Sequence, residues 1–179
     1  MNGNGAVLRG FARIFEKITI EKEESAMNTA APDILNLANY PDLHAPAAEW
    51  FSSQWHVPTD AYRASMADGL HAAGGVPAWY IVRDGAEIGA GIGIIANDFH
   101  KRPDLTPNLC ALYVAPPYRG RGWARALLNC ACADLAAHGV PDAYLITGHT
   151  ALYERMGWTF YGMVTEDGGG QIRMYHKSL

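Results

Sequence analysis

The sequence predicts one α/β (α+β) domain built on a mixed sheet, and three observations lead there. Short apolar runs of strand length recur along the chain. Segments with helical spacing interrupt them, and Gly or Pro punctuation separates the two kinds. At 179 residues, 49% apolar and 18% charged, the chain suits a single sizeable globular core.

The elements follow in order. Ile34, Leu35 and Leu37 suggest a first strand. Leu43 to Trp55 and Thr59 to Ala73 read as two helices, split by Val57-Pro58 and closed by Gly74-Gly75. Ala78 to Arg83 and Glu87 to Ala96 are strands joined by Asp84-Gly85, a strong hairpin signal. Leu109 to Val114 is a wholly apolar strand of the buried kind. Gly122 to His138 is a helix ending at Gly139, with Leu127, Leu128, Ala131, Leu135 and Ala136 on its apolar face. Ala143 to Thr147 is a second buried strand, and a short helix over Ala151 to Met156 follows it. Trp158 to Val164 and Gln171 to His176 close the chain around Asp167-Gly168-Gly169-Gly170. The order is β-α-α-β-β-β-α-β-α-β-β.

Residues 1–30 read as an N-terminal extension and 31–179 as the domain. The first 26 residues carry four acidic and four basic residues and no helical stripe that continues into the domain. Lys22-Glu23-Glu24 is what a purine-rich ribosome-binding sequence would encode if translated, so Met27 is the expected native start. An intact Met1 in N-terminal mass analysis of the natively expressed protein would refute that expectation.

Several function classes are excluded. No apolar run approaches the roughly 18–20 residues that span a bilayer. Glu16 and Lys17 interrupt the stretch from Ile14 to Ile20, leaving no secretory pattern, so the expected place is the cytoplasm, with no membrane partner. The formal charge is −4 and no basic block exceeds two residues, which argues against nucleic acid. Cys110, Cys130 and Cys132 lack a metal-type CxxC pair and read as reduced, buried thiols, with no metal expected.

The turn from the fourth strand into the long helix, Arg119-Gly120-Arg121-Gly122-Trp123-Ala124, carries the chemistry. A helix N-terminus offers unpaired N–H groups and the positive end of a dipole. Gly120 and Gly122 let backbone approach phosphate oxygens, and Arg119 and Arg121 add charge. A Walker turn is absent for want of Gly-Lys-Ser/Thr. A dinucleotide turn needs a third glycine and a tighter link to its strand than the four residues between Val114 and Arg119.

Leu112 to Ala124, running on to Ala126-Leu127-Leu128, resembles the acetyl-CoA motif of the GNAT (GCN5-related N-acetyltransferase) superfamily, whose pattern Arg/Gln-x-x-Gly-x-Gly/Ala meets Arg119, Gly122 and Ala124. Ala151-Leu152-Tyr153-Glu154-Arg155-Met156-Gly157-Trp158 is similar to the family's second signature, in the right order and spacing. The resemblance runs from about Asp33 to the C-terminus. It implies a mostly antiparallel sheet with two central strands splayed around acetyl-CoA. It further implies that Leu112, Tyr113 and Val114 offer backbone groups to the acetyl and pantetheine arm, and that the turn's N–H groups take the pyrophosphate. Tyr153 matches the family's tyrosine that protonates the departing thiolate. Donors near the thioester carbonyl would stabilise its developing negative charge.

The acceptor must present a neutral amine. A lysine-like amine with pKa near ~10.4 is neutral only about one part in 10³ at pH 7, a cost of roughly 4–5 kcal/mol. Asn108 stands where some relatives keep a carboxylate, so the base is sought elsewhere. Asp98, His100 and Asp104, in the connection before the fourth strand, are candidates, with Asp98 and His100 carried forward. His149 could position a substrate. Gly148-His149-Thr150 departs from the family, which often has an Asn there, so Thr147 or Thr150 would have to substitute. Trp50, Phe51, Trp55 and Tyr62 are mainly core, with one or two expected in an acceptor pocket.

The expected function is N-acetylation of a small-molecule amine. The alternatives are a protein N-terminal or lysine acetyltransferase, and an acyl-CoA-binding sensor module without turnover. The final hairpin offers an edge through which a homodimer could form.

Overall fold

Among the described residues, short apolar runs, near-continuous where both faces are covered, form seven strands of one sheet. The computed structural model describes residues 31–72 and 74–179. The expected extension at 1–30, and the native start at Met27, lie outside them. The strands are β1 (Ile34–Asn36), β2 (Ala78–Asp84), β3 (Glu87–Ile95), β4 (Asn108–Val114), β5 (Asp142–Thr147), β6 (Thr159–Thr165) and β7 (Gln171–Ser178), in spatial order β1-β2-β3-β4-β5-β7-β6. Every neighbouring pair is antiparallel except β4 and β5. The predicted fold class is therefore the observed one.

The helices are α1 (His44–Trp55), α2 (Thr59–Gly69) and α3 (Trp123–Ala137). They cover opposite faces of the β1–β4 half. On one face Leu127, Leu128, Ala131 and Leu135 of α3 pack on Tyr80, Ile92, Leu112 and Val114. On the other, Phe51, Trp55, Tyr62 and Met66 of α1 and α2 pack on Trp79, Ile81 and Cys110. A third cluster of Leu105, Ile146, Val164, Ile172 and Met174 lies under the connection before β4.

Three local expectations are corrected. The helix foreseen over Ala151 to Met156 is one 3-10 turn at Glu154–Met156, closed by Gly157 at φ +82°. Six residues are too few to offset helix nucleation. The second helix stops at Gly69, where the backbone runs so close to Pro77 that a Cβ would sit 2.9 Å from its carbonyl oxygen. On α3, Cys132 is buried and Ala136 exposed, which rotates the apolar stripe slightly from the expected one.

Candidate active site

The sheet is incompletely closed along one seam. β4 and β5 pair at Asn108↔Tyr144, reinforced by the Tyr144 N–H on the Pro107 carbonyl at 3.0 Å, and at no further registered pair. Past that point the strands part and leave the β4 edge open toward β5. A bulge shapes this edge. Cys110 pairs with Gly93 and Tyr113 with Gly91, so Ala111 and Leu112 both face the span of Ile92, with Ala111 at φ +53°. The extra residue puts Cys110 and Ala111 consecutively on the α1–α2 face while Leu109, Leu112 and Val114 stay on the α3 face.

The glycine turn lies at the mouth of this seam. Gly120 and Gly122 take φ +74° and +76°, and a Cβ on either would meet nothing within 4 Å. The glycines thus serve conformation and leave open space over the turn. The N–H groups of Arg121, Gly122, Trp123 and Ala124 precede the first intrahelical bond, Ala126 N–H to the Gly122 carbonyl at 3.0 Å. Tyr118 and Trp123 stack at 4.8 Å with Arg121 over both rings, at 5.3 and 5.9 Å. Gly89 of β3 makes room for that stack, since a Cβ there would fall 2.7 Å from each ring. Arg119 turns back on β4: its Nε donates to the Val114 carbonyl at 3.0 Å and its guanidinium lies over Tyr113. It braces the turn, and it occupies one of the three carbonyls expected to face a ligand.

Inside the seam is a cavity of about 210 Å³. Trp55, Val57, Ala61 and Tyr62 wall it on the helix side, Trp79, Ile92 and Leu109 to Leu112 along the sheet, and Leu128, Leu145, Ile146 and Tyr153 at the far end. Asp98 and Phe99 enter from the connection. Burial lifts the Asp98 carboxyl from its ordinary 3.8 to about 7, with Glu166 nearby adding to the effect. Burial also raises the phenols of Tyr153 and Tyr62 above their ordinary value, with Asp98 contributing to both. The Cys110 thiol is pushed well up by burial and by Asp98, so it stays protonated and is no nucleophile.

The connection that delivers Asp98 is tightly tied. Asn97 and His100 exchange two hydrogen bonds, His100 N–H to Asn97 Oδ1 at 3.0 Å and Asn97 Nδ2 to the His100 carbonyl at 2.9 Å. Asn108 is fully buried and donates to the Leu105 and Ala96 carbonyls at 2.7 and 3.3 Å. His100 Nδ1 accepts the Arg102 N–H at 3.2 Å, which leaves Nε2 to donate to Asn108 Oδ1 at 2.8 Å. Phe99 is held at φ +59°, where a bulky residue is strained, so this knot supplies the energy that keeps Asp98 and Phe99 turned into the cavity.

Of the sequence candidates, Tyr153 and Asp98 share the cavity. His100 does not line it, and both its ring nitrogens are engaged. Asp104 is exposed and bidentate with Arg102 at 2.8 and 2.6 Å. His149 lies outside the lining, its N–H on Thr147 Oγ1 at 3.0 Å, so the Thr147 hydroxyl is engaged locally. Trp55 and Tyr62 line the cavity, while Phe51 is wholly core and Trp50 packs on Phe51 and Tyr113.

The model of the acetyltransferase (GNAT) domain matches residues 76–160, which include β2 to β5, the glycine turn and Tyr153. The chain carries a GNAT acetyltransferase domain over those residues. No curated protein matches it. Solved GNAT structures share its fold at low identity. An acetyltransferase of the GNAT family from Streptococcus pneumoniae is 15% identical over 82% of this chain and 99% of its own, with TM-score 0.62. The yncA protein of Salmonella typhimurium, solved with its cofactor acetyl-CoA, is 14% identical over 84% and 95%, with TM-score 0.62. An aminoglycoside 6'-N-acetyltransferase complexed with coenzyme A is 17% identical over 82% and 96%, with TM-score 0.61.

The site features that sequence reading passed over are Trp79 and the bulge at Ala111. Trp79 is visible only as one alternate position of a buried strand. Phe99 and Ala111 owe their roles to positive φ, which their residue types do not announce. Among the described residues, no helix is long and apolar enough to cross a membrane.

Proposed function

We propose that this chain is an acetyl-CoA-dependent N-acetyltransferase that acetylates the primary amine of a small molecule by direct attack in a ternary complex. The observation that carries the reading is the pairing of Asp98 and Tyr153 on one buried cavity at the open seam, next to the glycine turn.

Coenzyme A fits the residues present. The open β4 edge suits an extended arm of amides, and the space above Gly120 and Gly122, with the free N–H groups of Arg121 to Ala124, suits a pyrophosphate. The thioester supplies the activated acetyl group, and the remaining work falls to the protein. Asp98 takes the proton from the bound ammonium. From an amine near ~10.4 to a carboxyl near 7 this costs about 5 kcal/mol, against about 9 for an ordinary aspartate. Burial of Asp98 therefore halves the penalty. The amine nitrogen then bonds to the carbonyl carbon as the C–S bond breaks. Of the two protons lost by the nitrogen, one leaves through Asp98 to solvent and one ends on the sulfur.

Tyr153, on the same cavity, would lie toward that sulfur, as the family resemblance implies. Its raised pKa keeps it neutral and makes complete transfer to a thiolate, ordinarily near ~8.5, an uphill step. It thus acts first as a hydrogen-bond donor that steadies the sulfur's negative charge. His100 serves as a positioning residue through Asn108. A cavity walled by buried side chains supports a small acceptor over a protein terminus or lysine, and an ionisable carboxyl held against burial supports turnover over a sensor role.

Two measurements test this. Acetyl-CoA should raise the melting temperature, and a panel of amines should release free CoA. No stabilisation by acetyl-CoA would remove the cofactor assignment.

A further inference from the structure

The cavity also restricts the acceptor, and this inference rests on the transferase reading above. Asp98 is the only carboxyl among the lining residues, and none of them is cationic. The N–H groups of its two indoles are spent within the cavity wall: Trp79 Nε1 donates to Ser65 Oγ at 2.9 Å and Trp55 Nε1 to the Ala111 carbonyl at 3.2 Å. With those groups paired, the indoles, Phe99 and Tyr62 make much of the wall aromatic. The cavity volume is about 210 Å³. A polyamine would strand a second ammonium against this lining, and an amino sugar would strand several hydroxyls.

We propose that the cavity takes a compact primary amine with one positive charge on an aromatic or branched-alkyl body, the ammonium seated between Asp98 and the Tyr62 hydroxyl. Asp98 supplies the counter-charge and the aromatic rings supply both apolar contact and cation–π attraction. Tyr153, at the far end of the same cavity, marks the direction of the thioester. The amine therefore points along the cavity toward the seam, and its body fills the α1–α2 end.

The test measures CoA release by the full chain at saturating acetyl-CoA. The acceptors are 2-phenylethylamine, 3-methylbutylamine, spermidine, glucosamine and a peptide with N-terminal alanine. The expected kcat/KM for one of the first two exceeds that for each of the others by at least about a hundredfold. Tyr62→Phe should raise KM for that amine roughly tenfold with little change in kcat. Ala61→Asp, exposed on α2 yet lining the cavity, should improve spermidine relative to 2-phenylethylamine by roughly tenfold through a second carboxylate. A preference for spermidine, glucosamine or the peptide, or equal rates for all, overturns the proposed acceptor class and leaves the transferase reading standing. Stabilisation by acetyl-CoA without CoA release from any amine overturns both.

Discussion

Asp98→Asn separates catalysis from stability in a way that few substitutions do. Asparagine keeps the shape of the side chain and removes its charge and basicity. If Asp98 is the base, kcat/KM falls by about 10²–10⁴. The acid limb of the wild-type pH profile, rising as the carboxyl loses its proton near pH 7, should vanish with it. Stability moves the other way. The folded carboxyl is raised from 3.8 to about 7, so the folded protein holds a proton that the unfolded chain has released across that range. Wild-type stability therefore falls as pH rises from about 4 to 7, and by pH 8 the deficit is at most about 4 kcal/mol. The variant escapes this deficit. At pH 8 its melting temperature should exceed the wild type's, by at most roughly 8–16 °C at 2–4 °C per kcal/mol, and the difference should shrink toward pH 4. Calorimetry at pH 4, 6 and 8, beside a pH profile of CoA release, checks both halves. A variant that keeps the acid limb and shows a pH-independent melting difference would refute the placement of Asp98 as a buried, ionising base.

Three further outcomes are expected. Tyr153→Phe should lower kcat by about 10–10² and raise KM less, since the hydroxyl acts on charge that develops late; an unchanged kcat removes Tyr153 from the chemistry. Gly122→Ala should weaken CoA binding by roughly tenfold in calorimetric titration, because alanine at φ +76° costs about 1–2 kcal/mol although the space around it is open. Wild-type affinity would show that the turn does not need that conformation. Asn108→Ala should cost about 3–6 kcal/mol in chemical denaturation by orphaning the His100 ring N–H and the Ala96 and Leu105 carbonyls; a loss under 1 kcal/mol would mean the knot is not structural.

The sheet and its helices are legible in the sequence because their signals are local. Short apolar runs give the strands, Asp84-Gly85 marks the β2–β3 hairpin, and Gly139 marks the end of α3. The glycine turn and Tyr153 are legible as motif and spacing. What stays hidden depends on the other half of the fold. Asp98 and His100 stand two residues apart with similar chemistry on paper. They part only because His100 spends both nitrogens on Asn108 and Arg102 while Asp98 turns into the cavity. Trp55 and Phe51, one helical turn apart, look equivalent until the fold puts one on the cavity wall and the other wholly in the core. The short 3-10 turn reads as helix because its residue types suit one, but with none of its three residues buried, nothing extends it past a single turn.

The single registered pair at Asn108↔Tyr144 has a mechanical meaning. Two half-sheets, β1–β4 and β5–β7, meet there as if at the last tooth of an open zipper. A ligand arm lying between them would supply the missing stitches. Amide exchange along β4 and β5 should then slow together when the arm is bound, so that the bound molecule becomes a structural part of the sheet on which it reacts.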